Sequence, residues 1–271
     1  MAKQKEKLID FHTHIYPNAI ADKAVDSVSR FYDIPILGNG LLEDMEKGAS
    51  NFDVRAFVVL MVATSPRQVE SINNFGKGII SNKVFVYGSL HPQYENNIQE
   101  IDRMLDFGFS GVKMHPDFQQ FNIDDPSLFP IYAKLEEKGL PILMHMGDER
   151  YEFSRPQRLA KVLDHFPSLK VVAAHMGGYT RWDEVRKYLV GRNVMFDTSS
   201  TLWSLGPQGC RQLIMEHGCD KIIFGSDYPV MSVNKEMELF DQMELPQEIR
   251  SKILFENATS FLFANHRNDG E

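Results

Sequence analysis

The chain has 271 residues, 43% of them hydrophobic, which is enough for one large α/β domain or two ordinary ones. It has 29 Lys and Arg against 37 Asp and Glu, a net charge of −8 and no basic run, so nucleic acid and anionic membrane surfaces are poor partners. The longest apolar run (57–63) is far shorter than a membrane span, the N-terminus lacks the apolar stretch of a signal peptide, and the two cysteines form no C-x-x-C pair, so we expect a cytoplasmic protein.

Short apolar runs recur along the chain, and each is closed by Gly, Pro, Asp or Ser. Because they are apolar throughout rather than alternating, they predict parallel strands covered on both faces. In chain order the eight runs are KLIDFHTH, RAFVVLMVAT, KVFVYGSLHP, FSGVKMHP, LPILMHMGD, LKVVAAHMGG, NVMFDTSS and KIIFGSDYPV.

The segments between the runs have the spacing of amphipathic helices, as in ENNIQEIDRMLDFG and RPQRLAKVLDHFP. The long connection 17–51 predicts a helical excursion over the mouth of the sheet. Eight strands with intervening helices in a chain of this size predict an α/β fold of the (β/α)8 TIM-barrel type. A doubly wound sheet would show fewer strands and a glycine-rich phosphate loop, which the sequence lacks. Without a linker or low-complexity tract, residues 1–271 are expected to form one domain.

Titratable residues fall at the ends of the predicted strands, and in a parallel barrel these ends meet on one face. Imidazole and carboxylate ligands on that face would suit Zn²⁺, and also Mn²⁺, Fe²⁺ or Co²⁺. The alternative is that each group is a hydrogen-bonded core residue. Three other histidines, His165, His217 and His266, are expected to be structural or solvated. The strand-end set is His12 and His14 on the first run, Lys113 and His115 on the fourth, His145 on the fifth, His175 on the sixth and Asp227 on the eighth.

Five motifs carry a family resemblance, and they run in order from residue 10 to residue 229: DFHTH, GVKMHP, LMHMGD, SRPQRLAKVLDHFPSLKVVAAHMGG and IIFGSDYP. The chain resembles the amidohydrolase superfamily, and within it the amidohydrolase 2 group, which includes aminocarboxymuconate-semialdehyde decarboxylase. The resemblance implies a barrel with one divalent metal at its mouth and an assembly such as a homodimer. It also implies a role for His175 in activating water or polarising the substrate. The implied ligands are His12, His14, His145 and Asp227.

Two residues near the ligands have alternative roles. In binuclear members of the superfamily, a lysine at the end of strand four is carboxylated and bridges two metals. Here the motif favours one metal, with Lys113 as a charged neighbour, and Lys113 and His115 are expected to face the substrate. Asp10 either orients a ligand imidazole or is a buried structural carboxylate.

The expected chemistry is hydrolysis of a small ester, lactone or amide by a metal-activated water, with Asp227 accepting the water proton. The alternative is non-oxidative decarboxylation of a small unsaturated or aromatic acid, and a third possibility is a barrel that binds without turnover. An arginine could hold a substrate carboxylate in bidentate fashion. Arg181 is the best candidate for this role, while Arg150 and Arg155 are expected to form surface ion pairs.

Overall fold

The computed structural model describes residues 5–263, and its centre is one parallel sheet. Each strand pairs with the next in chain order, from the first to the eighth. The predicted (β/α)8 TIM barrel is therefore confirmed, and each strand coincides with one of the eight apolar runs, although β2 begins two residues before its run. The strands are β1 (Lys7–Thr13), β2 (Asp53–Leu60), β3 (Val84–Ser89), β4 (Gly111–Met114), β5 (Ile142–Met144), β6 (Val171–Ala173), β7 (Met195–Asp197) and β8 (Ile222–Ile223).

Helices follow the strands and surround the sheet. The described helices are α1 (Ala21–Tyr32), α2 (Leu42–Gly48), α3 (Val69–Ile79), α4 (Asn97–Asp106), α5 (Pro116–Gln119), α6 (Phe129–Lys138), α7 (Pro156–His165), α8 (Trp182–Tyr188), α9 (Pro207–His217), α10 (Val233–Asp241), α11 (Gln247–Ser251) and α12 (Asn257–Phe263). Short 3₁₀ turns cover Pro66–Gln68, Pro126–Leu128, His175–Gly177 and Cys219–Lys221, and Lys252–Glu256 is a π-helical turn. Within residues 5–263, none of these helices is both long and apolar enough to cross a membrane.

Alternating side chains divide the buried residues into two clusters. On β2, Ala56, Val58 and Leu60 point into the barrel, where they meet Phe11 and Tyr87. The side chains that alternate with these along the strands point outward and pack against the helices. The barrel interior is therefore a packed core below the mouth, as expected for this fold, and polar side chains are concentrated above it.

The seam between the first and last strands closes the sheet. The Phe11 N–H donates to the Phe224 carbonyl over 2.9 Å, and the Asp227 N–H donates to the His12 carbonyl over 2.8 Å. Asp10 reinforces this seam, because its carboxylate accepts the Ser226 N–H at 2.9 Å and the Ser226 hydroxyl at 2.6 Å. Asp10 thus holds the loop after β8 against β1. Of its two expected roles, it has that of a buried structural carboxylate.

Helices α1 and α2 occupy the long connection between β1 and β2. This confirms helical structure within residues 17–51. Tyr32, the last residue of α1, reaches the strand ends, since its hydroxyl lies 2.9 Å from His115 Nε2. The excursion therefore covers part of the barrel mouth, as the sequence predicted.

Candidate active site

Three of the predicted site residues converge at the seam. His12 Nε2 lies 3.4 Å and His14 Nε2 lies 3.6 Å from the same oxygen of Asp227. One donor atom from each of the three residues lies within 4.8 Å of the others. We call these residues the His–Asp group. Barrel closure assembles this group, because two members come from the first strand and the third follows the last strand.

The hydrogen bonds of the two imidazoles direct their lone pairs toward Asp227. His12 Nδ1 lies 2.9 Å from an Asp197 carboxylate oxygen, and His14 Nδ1 lies 2.9 Å from the Leu60 carbonyl oxygen. Both oxygens are acceptors, so each Nδ1 carries the proton and each Nε2 presents a lone pair. Burial lowers the pKa of His14 to about 3 and lowers the pKa of His12 well below its usual range. Neutral imidazoles beside a carboxylate form a donor set that fits a divalent cation.

Asp227 has a constrained backbone. Its φ is +63°, in the left-handed region, which costs a non-glycine residue about 1–3 kcal/mol. The seam hydrogen bond to His12 holds this conformation, and the Ser200 hydroxyl donates to the second carboxylate oxygen over 2.5 Å. Burial raises the pKa of Asp227 to about 7, while the Ser200 hydrogen bond and the charge of Lys113 oppose that rise.

Asp197, at the end of β7, is a functional candidate that the sequence analysis missed. Besides the contact with His12, it accepts the backbone N–H groups of His175 and Ser199, each over 3.1 Å, and the Ser199 hydroxyl. A carboxylate that hydrogen-bonds a ligand imidazole fixes its tautomer and orientation. The signal in the sequence was its position at the end of a predicted strand, the same criterion that selected the histidines.

His145 lies in a neighbouring cluster rather than in the His–Asp group. Its ring stacks on that of His115 with centroids 3.8 Å apart, and its Nε2 lies 3.6 Å from Asp117 and 3.4 Å from the Tyr32 hydroxyl. Donor atoms of His115, Asp117 and His145 also lie within 4.8 Å of one another. The structure thus brings together three of the four expected ligands and places the fourth beside them.

His175 connects these two clusters. Its Nε2 lies 3.0 Å from His145 Nδ1, and its Nδ1 lies 2.9 Å from the Ser199 hydroxyl. Its ring centroid is 5.0 Å from that of His12. Burial, followed by the nearby charge of His12, lowers the pKa of His175 to about 3, which favours the neutral ring. A neutral imidazole here can exchange hydrogen bonds with a bound oxygen atom.

Lys113 brings a positive charge to the mouth from β4. Its side chain is 1% exposed, and its Nζ has no hydrogen-bond partner among residues 5–263. Burial lowers its pKa to about 8, although the carboxylates of Asp197 and Asp227 partly oppose that shift. A buried ammonium without a partner is costly, so this amine is well placed to bind an anionic group.

Arg181 does not line the cavity at the strand ends. Its guanidinium pairs with Glu184 and Glu152, each over 3.0 Å, and donates to the Tyr151 carbonyl. Arg150 and Arg155 are also ion-paired, with Asp148 and with both Glu152 and Glu184, as expected. The residue predicted as the substrate clamp, Arg181, thus lies outside the cavity lining, and Lys113 is the cationic residue at the strand-end side of the cavity.

The three histidines that were expected to be structural or solvated match that expectation where they can be described. His217 is buried and stacks on Phe196, and its Nε2 lies 2.8 Å from the Val194 carbonyl oxygen. His165 lies at the end of α7 beside the Lys161 carbonyl. His266 lies outside the described residues.

A cavity of about 790 Å³ opens above the His–Asp group. This volume is in the range of about 300–1,000 Å³ that holds small-molecule ligands. The polar side chains at and just after the strand ends form one end of the cavity, which we call the polar floor. The floor residues are His12, His14, Lys113, His115, Asp117, His145, His175, Ser200 and Asp227, and the walls include Ile15, Phe31, Tyr32, Leu60, Phe75, Phe118, Tyr151 and Tyr179.

Comparisons with known proteins point to one family. Over part of its length the chain is 31% identical to 2-amino-3-carboxymuconate-6-semialdehyde decarboxylase of Dictyostelium discoideum, covering 34% of this chain and 32% of that protein. It is 28% identical to decarboxylase orsB of Emericella nidulans, covering 38% of this chain and 37% of that protein. The matches therefore span about a third of each relative's length.

A solved structure shares the fold over almost its whole length. It is a dihydroxybenzoic acid decarboxylase from Polaromonas sp. JS666 with bound manganese, with a TM-score of 0.72, 14% identity and coverage of 96% of this chain and 98% of that one. The sequence profile of the amidohydrolase family matches residues 9–264. This match spans both ends of the barrel and all of the polar floor, so the chain belongs to the amidohydrolase family of enzymes.

Proposed function

We propose that this protein is a metal-dependent, non-oxidative decarboxylase that removes CO₂ from an unsaturated or aromatic acid. The observation that carries the proposal is that the His–Asp group shares the floor of a largely apolar cavity with the ammonium of Lys113, for which the described part of the chain offers no hydrogen-bond partner. The relatives described above are decarboxylases by name, which supports this reaction over the hydrolysis that the sequence analysis placed first.

We assign His12, His14 and Asp227 to hold one divalent cation, and Zn²⁺ is the expected ion, although the donor set also suits Mn²⁺, Fe²⁺ and Co²⁺. When bound, such a cation supplies a Lewis acid that polarises substrate oxygens and lowers the pKa of coordinated water. His145 remains the predicted fourth ligand. Its Nδ1 contacts His175 and its Nε2 faces Asp117, so either nitrogen would have to leave a present contact to join the other ligands.

Lys113 and the cavity walls prepare the substrate for loss of CO₂. The ammonium can donate to an anionic oxygen of the acid, since no residue of the described chain accepts its hydrogen bonds. The aromatic and aliphatic walls exclude water from the carboxylate. Loss of CO₂ disperses the carboxylate charge, so a site that replaces water with fixed protein groups favours this step.

The reaction needs one proton at the carbon that loses the carboxyl group. The bond between that carbon and the carboxyl carbon breaks, CO₂ leaves, and the electron pair left on the ring or double bond takes up a proton. We assign the delivery of this proton to Asp227, whose carboxylate lies on the polar floor beside His12 and His14. His175, kept neutral by burial, is assigned to hold the substrate oxygen through its Nε2, in place of the present contact with His145.

The test is turnover in D₂O of aromatic and unsaturated acids labelled with ¹³C in the carboxyl group, beside a panel of lactones. We expect one labelled CO₂ per turnover and one deuteron at the carbon that carried it. Asp227→Asn should lose most of the activity, whereas the control Asp124→Asn should keep it, because Asp124 pairs with Arg158 and Lys161 away from the cavity. Lactone hydrolysis without CO₂ release from any acid would restore hydrolysis as the function.

A further inference from the structure

The cavity extends well beyond the polar floor. Tyr32, at the end of α1, contacts the floor, and Ala24 lines the cavity two turns earlier in the same helix. Eight residues of α-helix rise about 12 Å, so the cavity follows α1 for that distance. A one-ring acid with its carboxylate at the floor would leave much of this length unfilled.

The walls of this extension are apolar. Ala24, Val28 and Phe31 occur at helical spacing on one face of α1, and Ile72 and Phe75 of α3 line the same cavity. We call the space bounded by these five side chains the outer chamber. Around it, the exposed side chains of Ser27, Gln68 and Ser71 are polar and uncharged. Lys23 is the charged residue among the α1 side chains that line the cavity.

Packing against the protein accounts for only part of the apolar face of α1, in which the Phe31 ring contacts the rings of Phe118 and Tyr151. Val28 and Phe31 belong to neither buried cluster, and of the residues of α1 only Ala21 is fully buried. Ile20, just before the helix, also lines the cavity and is 50% exposed. Contiguous apolar surface of this kind usually marks a binding site. Because it is continuous with the polar floor, one molecule can occupy both.

We propose that the outer chamber binds an apolar substituent of the substrate, so the enzyme acts on an acid whose unsaturated or aromatic head carries an alkyl chain. The placement of the head rests on the proposed function, since it puts the carboxylate beside Lys113 and the His–Asp group. The chain then runs along α1 between Val28 and Ile72. The uncharged chamber walls favour an alkyl chain over a second charged group.

The inference is tested with the metal-loaded enzyme and 2-hydroxybenzoates that bear a methyl, propyl or pentyl group at position 4. This position lies across the ring from the carboxyl group, so the substituent points away from the floor. Binding is measured by calorimetry, and CO₂ release is measured in parallel. Burial of each added methylene should lower the dissociation constant about fourfold.

A matched pair of variants locates the effect. Val28→Trp fills the chamber and should remove most of the gain from propyl and pentyl groups, with its metal content and melting temperature checked. Asp26→Trp puts the same side chain on the exposed face of α1 and should keep the gain.

The outcomes separate this inference from the proposed function. Affinity that does not change with chain length overturns the inference, even if CO₂ is released. A gain that Val28→Trp leaves intact also overturns it. A gain that this variant removes, without CO₂ release from any member, supports the chamber but contradicts decarboxylation. The absence of binding by every member contradicts both.

Discussion

Replacing Asp197 with Asn tests whether His12 is held as a metal ligand. The carboxylate accepts the His12 Nδ1–H over 2.9 Å with one oxygen and the backbone N–H groups of His175 and Ser199 with the other. Asn has the same shape but offers one acceptor and one donor. If its oxygen keeps the two backbone N–H groups, its NH₂ faces His12 Nδ1. The imidazole must then move its proton to Nε2, and the lone pair directed at Asp227 is lost.

The expected magnitude follows from the position of Asp197 behind a ligand. Loss of a carboxylate that orients a ligand imidazole typically weakens metal binding about 10- to 100-fold, which corresponds to about 1.4–2.8 kcal/mol. Because Asp197 is fully buried, solvent cannot replace its hydrogen bonds. The loss should therefore be toward the upper part of this range.

The assay is a competition titration of the metal-free enzyme with Zn²⁺ and a chelator of known affinity. Asp124→Asn is the matched control, because it removes the same charge from an ion pair outside the cavity lining and should leave the affinity unchanged. The reasoning would be refuted by an Asp197→Asn variant that folds normally and whose affinity for Zn²⁺ is within about twofold of the wild-type affinity. Such a result would mean that His12 is not a ligand or that Asp197 does not set the tautomer of His12.

Three further outcomes are expected. Changing His12 and His14 together to Ala should remove about one divalent ion per chain, measured by elemental analysis; unchanged metal content would end their assignment as ligands. Lys113→Met should raise KM for an acid substrate about 10- to 100-fold, through loss of a charged hydrogen bond, with metal content retained; an unchanged KM would exclude this contact. Glu236 is buried, neither of its carboxylate oxygens has a hydrogen-bond partner within residues 5–263, and burial raises its pKa well above the usual value. The contribution of Glu236 to stability should therefore fall as pH rises above about 4.5. Glu236→Gln should gain stability relative to the wild type between about pH 5 and pH 8, by up to about 1.4 kcal/mol per pH unit, in denaturant titrations; a constant difference would show that Glu236 does not titrate in this range.

The barrel could be predicted because its strands are local features of the chain. A run such as RAFVVLMVAT is apolar enough to be read as a covered strand without knowledge of its neighbours, and β2 covers its first six residues. Strand ends then gather on one face by topology alone. The meeting of His12, His14 and Asp227 follows from this rule, together with closure of the sheet.

Contacts that depend on side-chain direction within the mouth could not be predicted. The rule that selects strand ends does not say whether His145 turns toward His12 or toward Asp117, and the structure has the second arrangement. Tyr32 carried no signal, because it reaches the floor from a helix in the long connection. Arg181 follows a strand end as expected, but two glutamates on the neighbouring elements compete for its guanidinium.

The location of the His–Asp group at the seam couples the proposed chemistry to the fold. His12 and Asp227 are joined by a backbone hydrogen bond that also closes the barrel, and Asp10 and Ser226 secure the same junction. A cation bound between these residues would bind the closed barrel and not the open one, so its binding free energy would also stabilise closure. The strained φ of Asp227 fits this arrangement. The isolated loop would disfavour this backbone conformation, and the pairing of the first strand with the last maintains it.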